Sequence, residues 1–302
     1  MKHNLKITLV ILVMFLITQF FGLYVVNSYF SNDLPFGLNP PEPETTFEFG
    51  QVFTLMIFAF IIAVTIFIFL TKFNIDFLIK FWFFSVVVVA LAISFNILLI
   101  NFLPERIISS FLETWILAIA IALPFGFVKI YRRNFFVHNF TEILIYPGIA
   151  AIFVPILNIY TISLLLVIIS IYDMWAVWHS GLMQRMAKYQ IEKLNIFSGF
   201  FVPYVSKRMK LQIKKLSKNQ LRKKKFRVNL AVLGGGDVVF PIIASGVMLK
   251  TLGLFPAIFV IVGATLGLCY LMFFAEKKKF YPAMPFISAG IFLGMFLGYL
   301  IF

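Results

Sequence analysis

Charge is what this sequence has least of. Only 13% of its 302 residues are Asp, Glu, Lys or Arg, whereas 62% are hydrophobic and 40 are Phe. A soluble domain carries roughly a quarter charged residues and about half apolar ones. Too little polar side chain exists to cover a water-facing surface, which excludes a soluble globular domain and makes the length a count of membrane spans. Cysteine is nearly absent too. Cys269 stands alone in an apolar run, so no intramolecular disulfide can form, and the residue reads as packing. Histidine is limited to the scattered His3, His138 and His179, so no ligand cluster exists and neither metal nor cofactor is implied. A cleavable leader is missing as well: Ile7 to Phe30, behind Lys2 and Lys6, is too long and lacks a small-x-small site. It reads as an uncleaved first span.

What is there is a series of long apolar stretches. A span needs about 20 such residues to cross the ~30 Å hydrocarbon layer. Nine stretches meet that need, near Ile7–Tyr29, Phe53–Leu70, Phe81–Leu103, Ile108–Val128, Glu142–Leu157, Ile159–Trp178, Asn229–Leu249, Leu254–Phe274 and Pro285–Phe302. The expected fold class is therefore all-α: a polytopic membrane protein of nine transmembrane helices. Gly290, Gly294 and Gly298 recur every four residues in the last span, as do Gly263 and Gly267 in the eighth, and both series read as close-packing seams.

The scarce charges are sorted. Ser31–Gly50 holds Asp33, Glu42, Glu44 and Glu48 and no basic residue. Lys72, Lys80, Lys129, Arg132, Arg133 and Lys277–Lys279 flank other spans, and Lys207–Arg227 holds eleven Lys or Arg and no acid. With nine spans and a cytoplasmic amino terminus, every basic cluster lies on the cytoplasmic side, leaving only Arg106 and Lys250 outside. The carboxyl terminus is then external, and the cell membrane is the expected location. The net charge of +14 fits basic loops against anionic lipid, and no nucleic-acid recognition fold accompanies it.

Ionisable groups inside hydrocarbon cost several kcal/mol, so they mark where chemistry resides. Glu113 and Glu142 lie close enough to span ends to reach the interface by snorkelling. Asp173 and Asp237 do not. Asp173 precedes the first cytoplasmic charge, Arg185, by twelve residues, and Asp237 follows Arg227 by ten. At ~1.5 Å per helical residue these are depths of roughly 18 and 15 Å. The sixth and seventh spans run in opposite directions, so the two carboxylates reach nearly the same depth and face each other. Gly234, Gly235 and Gly236, just before Asp237, strip side chains from the chain and weaken the helix. A peptide substrate needs such room, whereas a proton wire does not. Pro282 and Pro285, around Ala283 and Met284, favour an extended stretch beside the last span, and equally a plain helix start. Three readings remain at this point: a two-aspartate hydrolase, a transporter using the acids as proton or ion sites, and buried acids with a structural role.

These residues carry a resemblance. Tyr172-Asp173, Gly-x-Gly-Asp at Gly234–Asp237 and Pro-Ala-Met at Pro282–Met284 resemble the three signatures of the presenilin and signal-peptide-peptidase superfamily, in order, spacing and nine-span frame. The likeness is carried by Ile159 to Phe302 and is nearest to the presenilin-like proteases of archaea. Met284 stands where the family usually has Leu, and Tyr281 where Gln often precedes the motif. Prepilin-type peptidases share Gly-x-Gly-Asp but have fewer spans and no Pro-Ala-Leu element.

The resemblance implies an intramembrane aspartyl endopeptidase with Asp173 and Asp237 catalytic. Tyr172, Gly234, Gly235, Gly236, Pro282, Ala283 and Met284 would bind substrate, and neither metal nor cofactor takes part. It implies a scaffold of five spans over residues 1–158 and a catalytic part over 159–302 with a basic cytoplasmic loop, 179–228. Partners would be membrane-protein substrates with a single span, and anionic lipids at the basic loop. The basic loop between the catalytic spans matches presenilins, where it is cytoplasmic, and so favours substrates with an external amino terminus.

Overall fold

In the computed structural model, the residues described are 5–38, 40, 43–73, 75–103, 114–132, 134–180, 196, 198–204, 229–274 and 281–302. Among them are nine helices long and apolar enough to cross a membrane. They are α1 (Leu5–Ser28), α2 (Thr46–Lys72), α3 (Asp76–Phe102), α4 (Thr114–Phe127), α5 (Phe135–Phe153), α6 (Ile159–Trp175), α7 (Gly235–Leu252), α8 (Leu254–Phe274) and α9 (Met284–Ile301). Both α4 and α6 run on into a single π-helical turn, Val128–Arg132 and Ala176–Ser180. The basic loop Lys207–Arg227 and Glu113 lie outside the described residues.

Polar caps set several helix ends. Thr45 accepts the backbone N–H of Glu48 at the start of α2, and the Glu48 side chain reaches back to the N–H of Glu44. Asn158 and Thr161 bond each other's backbone N–H at 2.9 Å, a full capping box that separates α6 from α5. Asn134 caps α5 through Phe136 N–H and Val137 N–H. That cap corrects the expected start of the fifth span from Glu142 to Phe135. Hydropathy misplaced it because His138, Asn139, Thr141 and Glu142 are polar, yet all four are buried against protein instead of meeting lipid.

The seventh span differs more. Asn229–Gly234 is not helix but a strand, β2, paired antiparallel with β1, Gly199–Tyr204, with Gly199 opposite Gly234 and Tyr204 opposite Asn229. A short apolar run reads equally as strand or helix end. The glycines decide it: Gly234 has extended dihedrals (φ −64°, ψ 149°) and acts as the N-cap, so helix begins only at Gly235.

Helix α7 is the hub. Residues Pro241–Met248 are buried without a break, enclosed by α1, α5, α6, α8 and α9. The expected seam is present: a Cβ on Gly263 would strike the Gly290 carbonyl, and one on Gly294 the Phe259 carbonyl, so α8 and α9 touch backbone to backbone. By contrast, α2 leans on α3 and α6 with Phe53 as its single buried residue.

Candidate active site

The two acids sit where helices end. Asp173 lies in the last regular turn of α6, and Asp237 is the third residue of α7. The depth arithmetic for Asp237 therefore needs correcting, because the residues between it and the basic loop include a strand. The convergence holds for another reason: α6 ends and α7 begins at the same end of the bundle, and the two carboxylates lie within electrostatic reach of each other. Asp173 is 5% exposed and Asp237 is partly buried.

Each acid is held by backbone. Asp173 Oδ2 accepts the N–H of Met284 at 3.1 Å, and the backbone of Ala283 also donates to this carboxylate. These are the first free N–H groups of α9, a helix terminus with positive character that suits a carboxylate. Pro282 and Pro285 lack such groups, so the bonds fall to Ala283 and Met284 by elimination. One turn deeper, Ser170 and Ser288 bond at 3.0 Å and tie α6 to α9. Asp237 bends back to accept from the backbone of Gly234, which is the acid half of a capping box. Pro241 cannot donate to the Asp237 carbonyl, which loosens this first turn. Gln19 of α1 donates to the next carbonyl, that of Val238, at 2.9 Å.

The three glycines serve different ends. A Cβ on Gly234 would lie 3.2 Å from Asp237 Oδ2. One on Gly235 would lie 2.9 Å from both Ser198 Oγ and the Tyr146 hydroxyl oxygen. One on Gly236 would meet nothing nearer than Phe240, at 3.6 Å. Only Gly236 therefore offers open room, and the space beside Gly235 is filled by the protein itself. Tyr172 is half exposed and packs on Trp175. Of the expected substrate-binding residues, Met284 and Ala283 bond Asp173 and Gly234 bonds Asp237.

With this geometry in view, the comparisons decide the class. Residues 12–302 match the family described as signal-peptide peptidase, presenilin aspartyl protease. The chain belongs to that family. This protease is an intramembrane aspartyl hydrolase and an integral, multi-pass membrane protein, and the transport reading finds no support. Two solved structures of a presenilin family intramembrane aspartate protease share its fold. The one in the C222 space group is 17% identical, with a TM-score of 0.62 over 98% of this chain and 99% of that one. The one in the P2 space group is 18% identical, with a TM-score of 0.61 over 97% of each. Among curated proteins, none matches by sequence.

Sequence reasoning missed a polar cluster beside the acids. Glu142, read as a snorkelling residue, is 1% exposed and pairs with Lys129. The signal was present: His138, Glu142 and Tyr146 recur every four residues and so share one face of α5.

Proposed function

We propose that Asp173 and Asp237 are the catalytic pair and cleave peptide bonds within membrane-spanning segments. What supports this is the placement of the two carboxylates at the ends of α6 and α7, within electrostatic reach of each other, one of them bonded to the Pro-Ala-Met helix start. The pair acts as one unit holding a single proton. The ionised member takes a proton from water as the water oxygen attacks the scissile carbonyl carbon. The protonated member gives its proton to the carbonyl oxygen. The tetrahedral intermediate then collapses with proton transfer to the amide nitrogen, the C–N bond breaks, and acid and amine leave. Neither metal nor cofactor is needed for this sequence.

A helical substrate hides its carbonyls in its own hydrogen bonds and must unwind, which is costly in lipid unless new partners exist. Strand β2 supplies them in this proposal. Gly199 and Phe201 of β1 bond to α5, so their neighbours Phe200 and Val202 face β2. In an antiparallel ladder the outward groups of β2 are then those of Leu230, Val232 and Gly234; Gly234 gives its N–H to Asp237, so Leu230 and Val232 are the ones a substrate would meet. An unwound substrate adding to this edge leads its backbone toward Gly236, Asp237 and the Pro282–Met284 segment. Tyr172 contributes a wall at most. Residues 1–158 act as scaffold and 159–302 as the catalytic part, with Gln19 and the α5 cluster reaching across that division.

The test is cleavage of a model membrane-spanning peptide in liposomes. Asp173→Asn and Asp237→Asn should each lower the rate by about 10³-fold or more while folding is retained. Cutting that survives in either variant would overturn the pair.

A further inference from the structure

A span rarely tolerates polar residues in lipid, yet α5 carries His138, Asn139 and Glu142 within five positions, all buried. Their partners are backbone groups of β1 and charged side chains, with His138 Nε2 3.5 Å from Glu142 Oε1. Asn139 bonds the N–H and the carbonyl of Phe201, at 3.2 and 3.0 Å. His138 Nε2 lies 2.9 Å from the Gly199 carbonyl oxygen. One oxygen of Glu142 accepts both from Lys129 Nζ and, at 3.3 Å, from the N–H of Gly199. The outer edge of β1 is thus closed by side chains of one helix. Pro203, which has no N–H, falls on the same side, where no donor to β2 is lost.

The ladder carries this contact toward the acids. Gly199 lies opposite Gly234 in a position without a bond of its own, next to Phe200 and Leu233 where the ladder bonds run, and Gly234 both caps α7 and donates to the Asp237 carboxylate. Tyr146, on the same face of α5, packs edge-on against Phe200 with ring centroids 5.8 Å apart. Its hydroxyl stands against Gly235. Stability alone does not account for the charges. A buried Lys–Glu pair loses about as much on desolvation as it gains by attraction, and apolar residues of similar size often serve as well. What an apolar residue cannot do is accept the Gly199 N–H.

We propose that Glu142, charge-balanced by Lys129, is a positioning residue for Asp237. It fixes β1 on α5 and, through the β1–β2 ladder that sets Gly199 opposite Gly234, sets where the Asp237 carboxylate points. This rests on the catalytic pair proposed above. A misplacement of the reacting group by about 1 Å costs on the order of 10²-fold in rate.

The experiment uses the full chain in liposomes with the same peptide, reading thermal unfolding, kcat and KM. In Lys129→Met/Glu142→Leu both charges are gone and the bulk is kept. The melting temperature should stay within a few degrees, and kcat should fall about 10²-fold with KM little changed. Lys129→Met/Glu142→Gln restores an acceptor without charge and should recover most of kcat. The proposal is overturned if the Leu variant keeps its kcat, if it has no cooperative unfolding transition, if the loss lies in KM, or if Gln fails to rescue. Those failures leave Asp237→Asn inactive, whereas failure of the catalytic pair itself would leave Asp237→Asn cutting.

Discussion

Adjacent glycines can meet unlike demands, and Gly235 and Gly236 do. Gly235 is pressed by Tyr146 and Ser198 at distances a methyl group cannot share. Gly235→Ala must push back the Tyr146 ring, itself buried among Phe200 and its neighbours. Overpacking of this kind costs about 1–3 kcal/mol, and the displaced α7 cap should carry Asp237 with it. We expect a lowered melting temperature and cleavage reduced by more than tenfold. Gly236→Ala meets open space, so stability should hold or rise slightly, since Ala favours helix. Its effect should fall on KM, because that open room is where substrate backbone would lie. Melting curves and a kcat–KM split for both variants check this. Equal behaviour of the two would mean that the open side of Gly236 is not used.

For the elements, the strand before α7 carries the sharpest expectation. The N–H of Val232 faces away from β1, and the residue is 46% exposed. Val232→Pro therefore removes one outward donor and no bond of the β1–β2 ladder. Cleavage efficiency should drop about tenfold with little change in melting temperature. Ala231→Pro, whose N–H faces β1, should instead destabilise the sheet. If Val232→Pro cleaves at the parent rate, the strand-addition reading fails. The seam of α8 and α9 makes a plainer case: Gly263→Leu would force the two backbones apart and should lower the melting temperature without altering KM.

Much of this architecture was legible in the residues. Runs of twenty apolar residues have one solution in lipid, so the span count followed from hydropathy and the sorting of charge. The strand was not legible, because Asn229–Gly234 is as apolar as the helix after it and differs only in what it pairs with. The start of α5 was hidden for the opposite reason: its polar residues bond to β1, a partner 57 to 62 residues away that no local pattern reveals. The acids, the glycines and the Pro-Ala-Met start were each visible as costly or helix-breaking choices. That Met284 N–H would reach Asp173 depended on the packing of α6 against α9.

At the scale of the whole molecule, the ends of the bundle differ in charge, and we propose that this difference sets how it meets its substrate. Nine spans in alternation put Lys72, Lys80, Lys129 and Arg132 at the end that carries the sheet and both acids, whereas Asp33, Glu44 and Glu48 lie at the other. Basic segments are retained on the cytoplasmic side, so in this proposal the acids open toward the cytoplasmic half of the cell membrane. The orientation is measurable because Cys269 is the sole cysteine and a Cys269→Ala background leaves none. Glu44→Cys on that background should react with a membrane-impermeant maleimide in intact cells. Lys215→Cys, in the basic loop, should react only after permeabilisation. If that holds, a single-span peptide with an external amino terminus should be cut faster than the same peptide inserted in reverse. Labelling in the opposite sense would turn the molecule over, and with it the expected substrate direction.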